Sequence, residues 1–215
     1  MLPSIIQNNF LDHTTIDNIG QRLLTKTNKF DDLLPNGDLR SYYYTWKFYD
    51  SEFQDLQNIF LPLFKLHSKH DLIVDHSHVL DSFIPYEIHT DYYQNRMLTK
   101  LNAAYTIIIP LDTYPSHTIA FEQHSKFKQV EQYFQHEQPR PVAASQRIGQ
   151  DIMNQYLTHI PKHQLDYFSI KEIFAWQKGS AYFCDRRYFH CSDNYVSQGL
   201  SGKRALVFWT SLVKH

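Results

Sequence analysis

His89 and Asp91 are the residues whose types and spacing first indicate chemistry in this chain. They stand two positions apart in the segment YEIHTD, and residues i and i+2 of a β-strand point to the same face of a sheet. One imidazole and one carboxylate on one face are able to bind a single metal ion together. Because the chain contains 13 His, chance pairs are common, and a polar cap at a strand end is the competing interpretation of His89.

A second region, residues 176–209, reads as a strand, a turn and another strand. An apolar run ends at His190, a polar loop with two glycines follows, and Arg204 begins the next apolar run. We predict that His190 supplies a third ligand from a strand that the fold brings beside His89. Two imidazoles and one carboxylate on one face of an octahedron suit iron(II) and leave three positions open for other ligands.

The full pattern, His89-x-Asp91 followed by His190 and Arg204, resembles the ligand set of the iron(II)- and 2-oxoglutarate-dependent oxygenases. The segment GSAYFCD before His190 is similar to the family's lead-in to its distal histidine. The resemblance implies a double-stranded β-helix (jelly-roll) core and Fe(II) bound by His89, Asp91 and His190. It also implies 2-oxoglutarate and dioxygen as cosubstrates, with oxidative decarboxylation of 2-oxoglutarate coupled to hydroxylation of a substrate.

The resemblance further implies a residue that binds the C5 carboxylate of 2-oxoglutarate, since a buried carboxylate requires a charged partner. Arg204 is at the family's position for this residue, and its neighbour Lys203 is the competing candidate. Arg204 shares a strand face with Leu206, Phe208 and Thr210. Alternation does not decide whether this face or that of Lys203 points inward, and the resemblance favours an inward Arg204. Tyr105 resembles the tyrosine that some members use for the same carboxylate, although a buried core tyrosine is an equally good interpretation.

The substrate class stays open between a small molecule and a prolyl or other peptide side chain. Two alternatives come from other classes of protein. The first is a catalytically inactive jelly-roll protein with a binding or structural role, because fold alone does not establish function. The second is a cupin-type metal enzyme that uses His76, His78 and a distant carboxylate.

The elements that must position these residues are predicted to be mainly β, in an α+β arrangement. We expect one oxygenase-like domain over residues 1–215, in which residues 1–70 form helices and a strand that support the core. The jelly-roll core is predicted over residues 71–120 and 174–212. Between them, a polar stretch at about 121–173 is predicted to be a helical insertion near the mouth of the barrel, where it would select the substrate. A surface excursion with no chemical role is an equally good interpretation of this stretch.

Hydrophobic periodicity places the individual elements. It predicts a helix over 14–28 and a second helix that begins at a capping box at Ser51 and is broken or bent near Pro62. Strands are predicted over 71–90 and 101–111.

The composition is that of a globular protein, with 42% hydrophobic and 20% charged residues. The net charge of −1 gives no general reason to bind nucleic acid. No apolar run approaches the length of a membrane span, and the N-terminus lacks the features of a secretory signal. Cys184 and Cys191 lack CxxC spacing and are expected to be reduced thiols in a cytoplasmic protein. The oligomeric state is left open.

Overall fold

The computed structural model describes residues 1–92 and 102–213, and this part of the chain is mostly β with two antiparallel sheets and several helices. The strands are β1 Ile5–Gln7, β2 Asn28–Leu33, β3 Leu39–Trp46, β4 Leu72–Ser82, β5 Asn102–Pro110, β6 His117–His124, β7 Ile170–Ala175, β8 Ala181–Asp185, β9 Tyr188–Ser192 and β10 Lys203–Leu212. The helices are α1 His13–Lys26, α2 Gln54–Ser68, α3 Val130–His136, α4 Gln150–Tyr156 and α5 Lys162–Leu165.

Both predicted N-terminal helices are present, although their ends differ from the prediction. The helix predicted over 14–28 corresponds to α1, whose first turn is capped by the Asp12 side chain. The second helix follows a short 3₁₀ turn at Ser51–Phe53 that lacks a side-chain cap, so the predicted capping box is wrong. This helix, α2, also runs through Pro62 without a break. Phe60 and Phe64 flank the proline and are fully buried, and burying two phenylalanines, at roughly 1.5–3 kcal/mol each, offsets the roughly 3 kcal/mol that an internal proline costs.

The larger sheet has seven strands in the order β1-β8-β5-β10-β4-β3-β2, and the smaller has three in the order β7-β6-β9. β10 is therefore central, between β5 and β4. The prediction of a strand over 101–111 is confirmed by β5, although residue 101 lies outside the described residues. The strand predicted over 71–90 is too long, since β4 ends at Ser82 and the segment that carries His89 forms only isolated bridges.

Both faces of the larger sheet are buried. Helices α1 and α2 pack against one face, and their core includes Tyr105 and Ile107 of β5 with Leu206 and Phe208 of β10. The opposite face packs towards the smaller sheet through a second cluster that includes Ile108, Ala120, Phe174, Ala205 and Val207. Residues of one parity on β5 and β10 therefore face the helices, and residues of the other parity face the space between the sheets.

The segment between β6 and β7 packs on the outer face of the smaller sheet, and the predicted bounds of 121–173 therefore include the end of β6 and the start of β7. Its helices share a third core with alternate sheet residues, among them Ile119, Phe121 and Phe189. Phe168 and Leu157 lie at the centre of this core and are almost completely buried. The helices of this segment therefore bury the apolar outer face of β6 and β9, and the expectation that the insertion lies at the mouth of a barrel stays a prediction. No helix among the described residues is long and apolar enough to span a membrane.

Candidate metal centre

The structure brings His190, from a distant part of the sequence, together with His89 and Asp91. One ligand atom from each residue lies within 4.8 Å of the others. Asp91 Oδ1 is 3.8 Å from His89 Nε2, and Asp91 Oδ2 is 3.3 Å from His190 Nε2. This is the only such cluster of three among residues 1–92 and 102–213.

Backbone hydrogen bonds hold the two histidines side by side. The N–H of His89 donates to the carbonyl of His190 at 3.0 Å, and the N–H of His190 donates back at 2.9 Å. The next residue, Thr90, donates its N–H to Lys128 O at 3.0 Å and its hydroxyl to Phe127 O at 2.7 Å. The start of the insertion therefore supports the ligand segment from outside, even though its helices lie elsewhere.

Hydrogen bonds at the far nitrogens fix which ring atom of each histidine is free. Nδ1 of His89 lies 2.7 Å from the carbonyl of Glu87, and Nδ1 of His190 lies 3.2 Å from the carbonyl of Tyr188. A carbonyl only accepts, so Nδ1 carries the proton in both rings, and Nε2 presents its lone pair in the neutral state. This is the tautomer in which a histidine binds a metal through Nε2.

The charge states suit a metal centre. Burial, together with the nearby His190, lowers the pKa of His89 to about 4, so that this imidazole is neutral near pH 7. Burial alone would raise the pKa of Asp91, but His190, His89 and a 2.6 Å hydrogen bond from the Thr106 hydroxyl outweigh it and hold the pKa below its usual range. Burial lowers the pKa of His190, whereas the Asp91 carboxylate raises it by more, so the net shift of this pKa is upward. A neutral imidazole and an ionised carboxylate are ready-made ligands, and a bound cation would compete with protonation of His190.

The three groups open into a cavity of about 80 Å³ between the two sheets. Its wall includes Thr106 and Ile108 of β5, Thr118 of β6, and Trp176. Lys203, the first residue of β10, also lines it. A candidate cation-binding cluster and the buried side chain of Lys203 therefore face the same cavity.

Lys203 is the buried cation of this cavity. It is 2% exposed, its Nζ donates to Ser116 Oγ at 2.8 Å, and it lies 3.9 Å from the centre of the Trp176 ring. The nearest carboxylate oxygen, Oδ1 of Asp193, is 4.0 Å away and accepts a hydrogen bond from Ser116, while Oδ2 accepts one from His117. Burial lowers the pKa of Lys203 to about 7, against the opposing effect of Asp193. An ammonium with so loosely bound a counter-ion is suited to receive an anionic ligand.

Arg204 and Tyr105 lie on the wrong face for the role that the sequence predicts. Neither residue is among the described residues that line the cavity. The side chain of Arg204 is 35% exposed and pairs with Asp81 on the outer face. Tyr105 is fully buried against Phe183 in the helix-facing core, with no partner for its hydroxyl among the described residues. The inward orientation expected for Arg204 is therefore corrected, because β-strand alternation turns Lys203 inward when Arg204 faces out.

A hydroxyl network that the sequence did not indicate forms another wall of the cavity. Tyr43 and Tyr86 both line it, and their hydroxyl oxygens are 2.7 Å apart. The Tyr86 hydroxyl donates to Asp32 at 3.1 Å, and Arg40 holds that carboxylate in turn at 2.7 Å. The alternation of β3 could have shown that Tyr43 faces opposite to its two tyrosine neighbours, but no pattern in the sequence indicates Tyr86.

The cupin-type ligand pair does not assemble. His78 lines the cavity, and burial lowers its pKa to about 4. His76 is exposed, with its ring edge-on to Trp209. Neither histidine belongs to a cluster of three ligands in the described part of the chain.

The insertion does not contribute to the cavity wall, since none of the residues 121–173 lines the cavity.

Comparison with known proteins gives a likeness of fold. No family model and no curated protein sequence matches the chain. Among solved structures, the non-heme α-ketoglutarate-dependent carbocyclase SnoK from nogalamycin biosynthesis is 15% identical with a TM-score of 0.59, over 97% of this chain and 79% of that one. HygX from Streptomyces hygroscopicus, with nickel, 2-oxoglutarate and hygromycin B bound, is 9% identical with a TM-score of 0.59, over 98% and 83%. The epimerase SnoN, in complex with Fe³⁺, α-ketoglutarate and nogalamycin RO, is 12% identical with a TM-score of 0.59, over 97% and 78%.

Proposed function

We propose that this chain is an iron(II)- and 2-oxoglutarate-dependent oxygenase that acts on a small molecule. The observation that carries the proposal is the pairing, in one cavity, of the His89, Asp91 and His190 cluster with the buried ammonium of Lys203. Under this proposal, the two sheets are the halves of a double-stranded β-helix. Helices α1 and α2 lie outside one half, and the insertion lies outside the other. The whole chain, 1–215, would then be one domain.

The donor set fits iron(II). Two imidazoles, which bind a metal in their neutral state, and one carboxylate converge from one side. The Nδ1 of each imidazole is hydrogen-bonded to a backbone carbonyl. Ligands of this kind leave coordination positions for a 2-oxo acid and dioxygen. When bound, iron(II) would activate dioxygen, the oxidant, and 2-oxoglutarate would supply two electrons and leave as succinate and carbon dioxide.

The residues of the chain would provide binding, orientation and exclusion of water. Lys203, rather than Arg204, would bind the C5 carboxylate of 2-oxoglutarate, because Lys203 is the cation that faces the cavity. Ser116 would orient the ammonium through its 2.8 Å hydrogen bond. Ile108, Trp176 and Val207 would exclude water around the cosubstrate, which strengthens the ion pair by lowering the local dielectric constant.

The reaction on the substrate is proposed to be hydroxylation. The likeness of fold to a carbocyclase and an epimerase that use the same cosubstrate is the reason to keep those two outcomes in the product analysis. A small molecule is preferred to a peptide because SnoN and HygX have been crystallised with nogalamycin RO and hygromycin B.

The test is an anaerobic titration with Fe(II) and then 2-oxoglutarate, monitored by the visible metal-to-ligand charge-transfer band. Wild type is compared with Asp91→Ala, Lys203→Met and the matched control Arg204→Met, followed by succinate release in air. We expect a band that requires Asp91, and a 2-oxoglutarate affinity that falls in Lys203→Met but not in Arg204→Met. Wild-type protein that binds iron yet gives neither a band nor succinate would contradict the proposal and leave an inactive jelly-roll protein as the better reading.

A further inference from the structure

Arg186 lies at the turn that carries the chain from the larger sheet to the smaller one. β8 ends at Asp185 and β9 begins at Tyr188, so that Arg186 and Arg187 form the whole connection. The two arginines have different surroundings. Arg187 pairs with Asp185 and is one third exposed, whereas the side chain of Arg186 is 5% exposed. His190 follows in β9, so a change in the orientation of this turn would move a proposed metal ligand.

The buried guanidinium of Arg186 reaches the segment that carries the other two ligands. Its Nε donates to the backbone carbonyl of Asp91 at 3.1 Å, and its terminal nitrogen donates to Thr210 O at 3.2 Å. The same nitrogen is 2.6 Å from Oδ2 of Asp75. One side chain therefore connects the turn before His190 with the backbone of Asp91.

Asp75 is held in place by an irregularity in the sheet. Trp209 of β10 pairs with His76 of β4, and the next residue, Thr210, pairs with Val74, so Asp75 is left out of the register. Such a bulge changes the direction in which a side chain points. The side chain of Asp75 is 2% exposed and also accepts a 2.7 Å hydrogen bond from Ser211.

We propose that the ion pair of Arg186 and Asp75 is a positioning device for the metal centre, which sets the place of Asp91 relative to His190. This inference rests on the proposed function, since it assumes that these residues bind a metal. The guanidinium suits the role because its planar fork donates in several fixed directions at once, which a lysine ammonium does not reproduce. Asp75 neutralises a charge that would otherwise be buried without a partner.

The experiment compares Arg186→Lys with the matched variant Arg187→Lys in the full chain. Both changes keep a positive charge at the turn, but only the first removes the Nε–H that donates to Asp91. Two quantities are measured: the affinity for Fe(II) alone under anaerobic conditions, and hydrogen–deuterium exchange of a peptide that covers residues 86–92, without metal. Ser211→Ala is a milder variant that loosens Asp75 and leaves Arg186 in place.

We expect Arg186→Lys to weaken Fe(II) binding by roughly 10- to 100-fold, as loss of a group that orients a metal ligand does. Exchange of residues 86–92 should become about tenfold faster because the segment opens more easily. Ser211→Ala should change both quantities in the same direction but less, and Arg187→Lys should change neither.

Equal affinity and equal exchange in the Arg186 and Arg187 variants would overturn the inference, as would an Arg186→Lys protein that loses only thermal stability. If Arg186→Lys does not fold, Ser211→Ala decides the question by the same two measurements. Wild-type protein that fails to bind Fe(II) would instead contradict the proposed function, and the exchange comparison would still test the positioning of Asp91.

Discussion

Replacing Lys203 by methionine should separate the roles of the two neighbouring cations at the start of β10. Methionine keeps most of the length of the side chain and removes the charge. Lys203 is 2% exposed and lines the cavity with the metal cluster, whereas the Arg204 side chain is 35% exposed and faces Asp81. Removing one partner of a buried ion pair costs about 3–5 kcal/mol, which corresponds to a loss of roughly 100- to several-thousand-fold in 2-oxoglutarate affinity.

The affinity should also depend on pH in a characteristic way. Burial lowers the pKa of Lys203 to about 7 in the cavity without an anionic ligand, and a bound carboxylate would raise that pKa. A group whose pKa rises on binding contributes affinity that is fully present below its free pKa and is lost as the pH rises towards the pKa of the complex. We therefore expect an affinity that is constant below about pH 7 and falls by up to about tenfold per pH unit above it.

The assay is 2-oxoglutarate titration of the Fe(II) protein, or of a Ni(II) form in air, from pH 6 to pH 9. Lys203→Arg supplies a cation that stays charged at every pH used, so it should remove the slope while keeping part of the affinity. Arg204→Met should behave like wild type. An unchanged affinity in Lys203→Met, or a slope that persists in Lys203→Arg, would refute the assignment of Lys203 and of the pH dependence.

Three further predictions concern buried aromatic side chains in different parts of the fold, and each is measured as the free energy of unfolding in denaturant. Tyr105→Phe should be neutral or stabilising by about 1–3 kcal/mol, because it removes a buried hydroxyl with no partner among the described residues; clear destabilisation would mean that the hydroxyl has a partner. Tyr86→Phe should destabilise by about 1.5–3 kcal/mol through loss of its hydrogen bond to the Asp32 carboxylate, and an unchanged stability would show that the network is not formed. Phe168→Ala, in the core of the insertion, should destabilise by about 3–5 kcal/mol and leave the 2-oxoglutarate affinity of the folded protein unchanged, and a parallel loss of affinity would show that the insertion and the cavity are coupled.

The parity of the strands is the part of the site that the sequence could not determine. Alternation shows that Lys203 and Arg204 face opposite ways, but not which of them faces the cavity. In most sheets the more apolar face identifies the core, yet here both faces of β10 are apolar. Leu206 and Phe208 face the helices, and Ala205 and Val207 face the smaller sheet. The sequence of a strand that is buried on both sides does not show which of its faces is turned towards the site. The same ambiguity led to the expectation that Tyr105 faces the cavity.

The elements with a strong local signal were predicted well. Helix α1 has apolar residues at helical spacing, and β5 is a short apolar run rich in isoleucine that ends at Pro110. The position of the insertion had no such signal, because its destination depends on which distant surface is left uncovered. Tyr86 joins the cavity wall through contacts with Ser41 and Tyr43, more than 40 positions away, and contacts at that separation leave no trace in a local pattern.

The reciprocal backbone pairing of His89 and His190 has a consequence for the rate at which a metal would leave. Each histidine receives a hydrogen bond from the other's N–H, at 3.0 and 2.9 Å. Moving the two backbones apart would break both hydrogen bonds at once, so simultaneous loss of both imidazoles from an ion would require a local opening at this edge of the smaller sheet. Without that opening, an ion would leave one histidine at a time, through rotation of the side chains.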